Sequence, residues 1–276
     1  MRTPPSSPLL TIEIQHKNFG QRAILGPLQL SIAQGEVVTL LGPSGCGKST
    51  LLRMVAGLDP AYAGTIRIRG SAPAVHRADV GFIFQEPRLL PWLTVAENIG
   101  FDRGRAGARD PRTTALLAEI GLSDYAQAYP KHLSGGMAQR VAIARGLFNQ
   151  PDLLLIDEPF SALDAFTRRR LQDLLLRLAE RHQTTLLVVT HDIDEAAYLS
   201  DRVVVMGTQP GGIRGVLDNA LARPRQRHDP ALAHVENRIL ALLDAHLLTA
   251  DDPALDAAAA PVRPRSVAWS SVQFAV

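Results

Sequence analysis

The feature that most constrains this chain is an octapeptide, Gly42-Pro43-Ser44-Gly45-Cys46-Gly47-Lys48-Ser49, set between an apolar run at 37–41 and a helix-forming run at 49–55. A glycine-rich turn from strand to helix lets successive backbone N–H groups face one point, and the helix N-terminus adds positive potential there. With a strand before it and a helix after it, this pattern is a phosphate loop. Lys48 would reach the outer phosphates of a nucleotide, and the Ser49 hydroxyl would ligate magnesium. Gly42, Pro43, Ser44, Gly45, Cys46, Gly47, Lys48, Ser49 and the following Thr50 are the candidate nucleotide-binding residues of this segment.

The rest of the chain alternates strand and helix patterns. Short β-rich runs occur at 10–14, 65–68, 80–84, 153–156, 186–189 and 203–205. The first two alternate apolar and polar residues, as half-buried strands do, whereas the later ones are continuously apolar, as strands covered on both faces are. Helical patterns at 167–182 and 194–199 separate the later strands. This order predicts an α/β fold with a mainly parallel sheet, and a separate antiparallel layer from the early strands. Residues 86–150 interrupt the rhythm with Pro87, Pro91 and helical patterns at 113–120 and 137–148, which predicts a mostly helical insertion. Within it, the Arg/Gly-rich stretch 103–109 reads as a solvated loop. Residues 229–247 predict a helix with Leu232, Val235, Ile239, Leu243 and Leu247 on one face, packed on the chain's own core. From 249 onward the Ala- and Pro-rich sequence reads as a frayed tail. The expected division is a catalytic domain over 1–225 and a C-terminal helix and flexible tail over 226–276.

Two further segments carry chemistry. The apolar run Leu153-Leu154-Leu155-Ile156 ends in Asp157-Glu158. A buried strand delivers Asp157 to the sheet edge, where it can hold magnesium directly or through water. Glu158 could then polarise a water aimed at the terminal phosphate, a contribution of about 10² to 10⁴ in rate. Ser134-Gly135-Gly136 opens the helical pattern that follows, with Ser134 placed as N-cap. Two glycines cost backbone entropy without improving a cap, so this turn is built for close approach, and phosphate is a natural guest.

Leu133-Ser134-Gly135-Gly136-Met137, followed by Gln139-Arg140-Val141-Ala142, resembles the signature motif of the ATP-binding-cassette (ABC) ATPases. Met137 stands where that family often has Gln. The resemblance covers about residues 10–215 and implies a RecA-like P-loop NTPase core with an antiparallel β layer and an inserted helical subdomain. It implies ATP and Mg2+ as ligands, and a head-to-tail homodimer in which Ser134, Gly135 and Gly136 of one copy grip the ATP held by the other. It further casts Gln85 as the residue sensing magnesium and the attacking water, and Asp164, in Ser161-Ala162-Leu163-Asp164, as part of the loop crossing the dimer interface. His191 resembles the switch histidine at the γ-phosphate, and Phe19 the aromatic that stacks on adenine, with a core role as the alternative. Metal ligands would then be Ser49, Gln85 and Asp157, and the catalytic set Glu158, His191, Lys48 and Gln85.

The segment Gln85-Glu86-Pro87-Arg88-Leu89-Leu90-Pro91-Trp92-Leu93 resembles the nitrate/sulfonate/taurine branch of importer ATPases. That resemblance implies separate membrane permease subunits, indirectly a solute-binding protein, and a peripheral position on the cytoplasmic face of the cell membrane. Trp92 would be an interface anchor or packed against the insertion. Net charge of +2 gives no sign of a nucleic-acid partner, and the single cysteine excludes an intrachain disulfide. Cys46 is expected to be shielded from alkylation by bound nucleotide. The apolar runs are all far below the roughly 18 to 20 residues that span a bilayer. A soluble ABC ATPase of DNA repair or translation is the alternative, but neither a coiled-coil insertion nor a paired cassette is visible. A phosphoryl-transferring P-loop kinase would have no use for Ser134–Gly136.

Overall fold

A computed structural model describes residues 8–73, 78–208 and 210–247; the tail expected from 249 onward lies outside the described residues. In chain order the first elements are β1 (Leu10–Phe19), β2 (Arg22–Leu25), β3 (Leu28–Ile32), β4 (Val37–Leu41), α1 (Lys48–Val55), β5 (Ala63–Ile68) and β6 (Val80–Ile83). The insertion then carries α2 (Val95–Ile99), α3 (Pro111–Glu119) and α4 (Gly135–Leu147). The chain continues through β7 (Leu153–Asp157), α5 (Ala165–His182), β8 (Thr185–Thr190) and α6 (Ile193–Leu199). It closes with β9 (Arg202–Gly207), β10 (Gly212–Asp218) and α7 (Pro230–Leu247).

Two sheets form. β1 pairs antiparallel with β2, β3 and β5, giving the separate layer read from the alternating strands. The second sheet has the order β10-β9-β4-β8-β7-β6, parallel throughout except that β10 runs antiparallel to β9. Its central strands are buried on both faces. Leu154 and Ile156 of β7 pack into a core shared with α4 and α5, whereas Leu153 and Leu155 pack against α1 and the antiparallel layer. Leu186 and Val188 of β8 face the first core, and Leu187 and Val189 the second. That double burial accounts for the unbroken apolar runs.

Helix starts follow local chemistry. The Ser134 hydroxyl accepts from the Met137 N–H at 3.3 Å, Asp110 caps α3 ahead of Pro111, and Thr94 with Glu97 makes a capping box for α2. Residues 101–109 differ from the expected loop: they wind as 3-10 turns interrupted at Gly104. Asp110 and Thr113 tie that segment down, through Arg103 Nη1–Asp110 Oδ2 at 3.0 Å and Thr113 Oγ1 donating to the Gly107 carbonyl at 2.7 Å. The arginines still face solvent, since Arg103 and Arg109 are exposed. α7 buries Leu232, Val235 and Ile239 in the main core with Leu243 packed beside them, as its apolar face predicts; the Leu247 side chain is outside the described set. No helix among the described residues is long and apolar enough to cross a membrane.

The insertion is fixed to the sheet by a close contact. A Cβ on Gly81 of β6 would lie 2.5 Å from the Gly146 carbonyl of α4 and 2.7 Å from Leu154 Cδ1. Arg145 of α4 donates to the Pro87 and Arg88 carbonyls, both at 2.8 Å, so the segment after Gln85 is held by the same helix. Gly81→Val should force α4 off β6 and cost about 1–3 kcal/mol of stability. Chemical denaturation checks this, and an unchanged midpoint would show that the contact can relax at no cost.

Candidate nucleotide site

Burial of β4, β7 and β8 leaves Asp157, at the C-terminal end of β7, as the one ionisable residue of these strands, and the parallel register sets their C-terminal ends side by side. Leu41 pairs with Thr190, and Asp157 with Val189. Ligands of open α/β sheets bind at this edge. The phosphate loop leaves β4 here and closes on Gly47, whose φ of 96° is left-handed and whose place as N-cap of α1 has no side-chain partner. The first amides of α1 are therefore free to face an anion. Pro43, Ser44 and Gly45 are exposed at the loop tip, whereas Gly42, Cys46 and Gly47 are buried and Ser49 and Thr50 half-buried. The Lys48 side chain is buried and folds back over the loop, donating from Nζ to the Gly42 carbonyl at 2.7 Å and the Pro43 carbonyl at 2.9 Å.

Ser49 Oγ donates to Asp157 Oδ1 at 2.8 Å. Burial pushes the Asp157 carboxyl above its ordinary range, against the lowering pull of the Ser49 hydrogen bond, and neighbouring Glu158 adds to the rise. A half-buried carboxylate beside a hydroxyl, both hard oxygen donors, suits magnesium, which keeps several waters and phosphate oxygens in its shell. Among the described residues there is no group of three or more His, Cys, Asp and Glu that could hold a metal ion.

Glu158 sits just past the strand end with a positive φ of 44°, its N–H donating to the Val189 carbonyl at 3.0 Å. That conformation is uncommon for a non-glycine residue and marks a position the surroundings over-determine. Its Oε2 lies 3.2 Å from His191 Nδ1. Gln85 Nε2 donates to Ser161 Oγ at 3.2 Å, and that hydroxyl donates to the Glu158 carbonyl at 3.1 Å. The sequence-derived residues Gln85, Glu158 and His191 are thus brought together, with Ser49 and Asp157 beside them.

The turn at Ser134–Gly136 belongs to a different neighbourhood. A Cβ on Gly136 would lie 2.5 Å from Thr167 Cγ2, and one on Gly135 3.7 Å from Leu163 Cδ2. The close approach that the glycines foretold is, within one chain, an approach by the head of α5. Asp164 caps that helix, accepting from the Phe166 and Thr167 N–H groups at 3.1 and 3.0 Å, and these bonds hold its carboxyl below the usual range. Phe19 is 54% exposed, with Lys17 Nζ 4.5 Å from its ring centroid, so the alternative core role is excluded. Trp92 is 69% exposed, which excludes packing against the insertion. Cys46 is buried, and that burial pushes its thiol up despite Lys48 nearby. The folded loop itself thus shields the thiol, in addition to any protection that bound nucleotide gives.

Sequence reasoning missed Glu195, Arg168 and Asp192 behind this cluster. Asp192 caps α6, its Oδ1 accepting from the Glu195 N–H at 3.0 Å, while its Oδ2 pairs with Arg168 Nη1 at 3.0 Å. Glu195 is 5% exposed among the apolar residues of α6, and burial, then the Asp192 charge, pushes its carboxyl up to about 8. The only signal in sequence was a carboxylate inside the otherwise apolar stretch Glu195-Ala196-Ala197-Tyr198-Leu199. Because the folded state keeps a proton that the unfolded chain loses near its ordinary value of 4.5, stability should be full below that pH and lost as pH rises through about 8. Glu195→Gln removes this titration. Its Tm should gain on the wild type by a few degrees from pH 5 to pH 8, and a pH-independent difference would contradict the assignment.

The chain is similar to known proteins over most of its length. The ABC transporter family profile matches residues 25–161. The chain is 55% identical over 248 residues to the aliphatic sulfonates import ATP-binding protein SsuB 2 of Burkholderia cenocepacia (strain HI2424), covering 90% of this chain and 92% of that protein. It is 56% identical over 243 residues to SsuB 1 of Pseudomonas syringae pv. syringae (strain B728a), covering 87% of this chain and 98% of that protein. Among solved structures, the dimeric post-hydrolysis cassette MJ0796 with ADP and Pi is 31% identical with a TM-score of 0.65, over 77% of this chain and all of that one. The cbiO1 subunit from Clostridium perfringens is 26% identical with a TM-score of 0.69, over 78% of this chain and 89% of that one. The chain belongs to the ABC transporter family, as an ATP-hydrolysing, ATP-binding subunit of an importer.

Proposed function

We propose that this chain powers import of an aliphatic sulfonate through separate permease subunits, working as a head-to-tail pair of copies at the cytoplasmic face of the membrane. One observation carries the paired arrangement. Lys48, Ser49, Asp157, Glu158 and His191 gather at one sheet edge, whereas Ser134–Gly136 contact Leu163 and Thr167 instead. A signature turn outside its own chain's phosphate cluster is free to complete the site of a second copy. The relatives named for aliphatic sulfonate import support the solute class, since residues of this chain meet ATP rather than the solute. Exposed Trp92, on the segment pinned by Arg145, suits an anchor for the permease.

In this reading the amides of the phosphate loop and Lys48 hold the β- and γ-phosphates, and Phe19 stacks on the base. Ser49 and Asp157, with Gln85, would hold magnesium, which would neutralise charge on the phosphate oxygens. Glu158 accepts a proton from the attacking water at its carboxylate while His191, bonded to it, fixes its direction. The water oxygen bonds to the γ-phosphorus, and ADP leaves with the electrons of the broken P–O bond. Asp164 holds the head of α5, and with it the Leu163 and Thr167 surface that supports the signature turn.

Glu158→Gln should lower ATP hydrolysis by about 10² to 10⁴ with ATP affinity retained, and Lys48→Ala should weaken ATP binding itself. Nucleotide binding and phosphate release measured on the same preparations separate the two. In cells, Glu158→Gln should abolish uptake of a labelled alkanesulfonate while leaving nitrate uptake unchanged. Loss of nitrate uptake with alkanesulfonate uptake intact would overturn the solute assignment.

A further inference from the structure

Immediately behind the Glu158–His191 pair lies a cavity of about 40 Å³, lined by Glu158, Ser161, Arg168, Thr190, His191 and Glu195 among others. Two buried polar atoms of residues that line it, Arg168 Nε and Glu195 Oε1, have no hydrogen-bond partner among the described residues. Leaving either unsatisfied costs on the order of 1–3 kcal/mol, a cost that a bound water would offset. One water needs roughly 10–15 Å³ of such space and two to four polar neighbours. Both conditions hold here: the volume suffices, one atom is a donor and the other a carboxyl oxygen.

Resting on the site reading above, we propose that this cavity holds an internal water bridging Arg168 Nε and Glu195 Oε1. We propose also that Glu195 acts through it as a positioning residue for Glu158 and His191. The surrounding bonds show how position is transmitted. Arg168 donates to the Leu163 carbonyl at 3.2 Å and to Asp192 Oδ2 at 3.0 Å, joining the loop that carries the dimer-facing residues to the cap of α6. The Asp192 N–H donates to Thr190 Oγ1 at 3.1 Å, which brackets His191 between two fixed residues. The charged groups that act on Glu195 come from three elements. Asp192 stands at the start of its own helix, Arg168 comes from α5, and Glu158 from the end of β7. Glu236 of α7 lies on the Asp192 and Asp194 side of the same helix.

With its proton, Glu195 can donate to the water while Arg168 donates from the other side. Without it, a negative charge joins Asp192 and Glu158 around one cavity against the single cation Arg168. The ionised form repels Glu158 and loosens His191, so hydrolysis should fall as pH rises through about 8.

The test is the pH profile of ATP hydrolysis by the full chain. Wild-type kcat should drop about tenfold between pH 7 and pH 9, the loss of one proton expected for such a group. Glu195→Gln, which keeps the size and the donor, should abolish most of that drop. Glu195→Leu, which fills the cavity with methyl groups, should lower kcat at every pH with KM for ATP unchanged. A crystal structure of the full chain should show a water within hydrogen-bond reach of both atoms. An empty cavity, or a Glu195→Gln profile that keeps the wild-type alkaline limb, overturns the inference. Wild-type hydrolysis by Glu158→Gln would instead overturn the site reading, and this inference with it. Loss of hydrolysis there with an unmoved limb in Glu195→Gln overturns the inference alone.

Discussion

Burial of the central sheet on both faces is the constraint from which the rest of this structure follows. No unpaired polar side chain fits inside β7 or β8 without a large desolvation cost, so their interiors are Leu, Ile and Val and their chemistry waits at the ends. Leu153, Leu154, Leu155 and Ile156 are fully buried, and Asp157 is the first residue of that strand to meet solvent. Parallel pairing then does the assembly. It places the ends of β4, β7 and β8 in one row, so that Ser49 finds Asp157 and Glu158 finds His191 without any long loop having to be ordered.

A second consequence is division of labour. The proposed catalytic groups ride on strand ends, which are rigid, while Ser134–Gly136 rides on the insertion, pinned to the sheet through Gly81 and Gly146 and to α5 through Thr167. The 161–168 segment touches both halves. Ser161 bonds to Gln85 and to the Glu158 carbonyl, Asp164 caps α5, and Arg168 reaches Leu163 and Asp192. A partner that presses on this segment acts through hydrogen bonds on Glu158 from one side and on α6 from the other.

Much of this was legible in the residues. Periodicity found β7, β8 and β9 because double burial writes an unbroken apolar run, and cap residues such as Ser134 marked helix starts. β3 was passed over although Leu28, Leu30 and Ile32 alternate as a half-buried strand should. β10 left almost no signal, because it is an edge strand with Gly212 and Gly215 in which Leu217 is the one buried residue. Phe19, Gln85, Asp164 and His191 came from family resemblance rather than pattern, since a lone polar or aromatic residue has no period. Glu195 was invisible for a physical reason: a carboxylate in an apolar helix face reads as solvent-facing, and only three-dimensional packing shows it buried beside Arg168 and Asp192. The burial of Cys46 escaped in the same way, because a glycine-rich loop looks open until Leu25 and Met206 are seen against it.

The central claim is that the site is completed by a second copy of the chain. Sedimentation of Glu158→Gln with ATP and with ADP tests it most directly, because that variant should bind ATP without consuming it. A dimer with ATP and a monomer with ADP is the predicted result. A monomer at saturating ATP would contradict the account, since the signature turn would then have no nucleotide to complete.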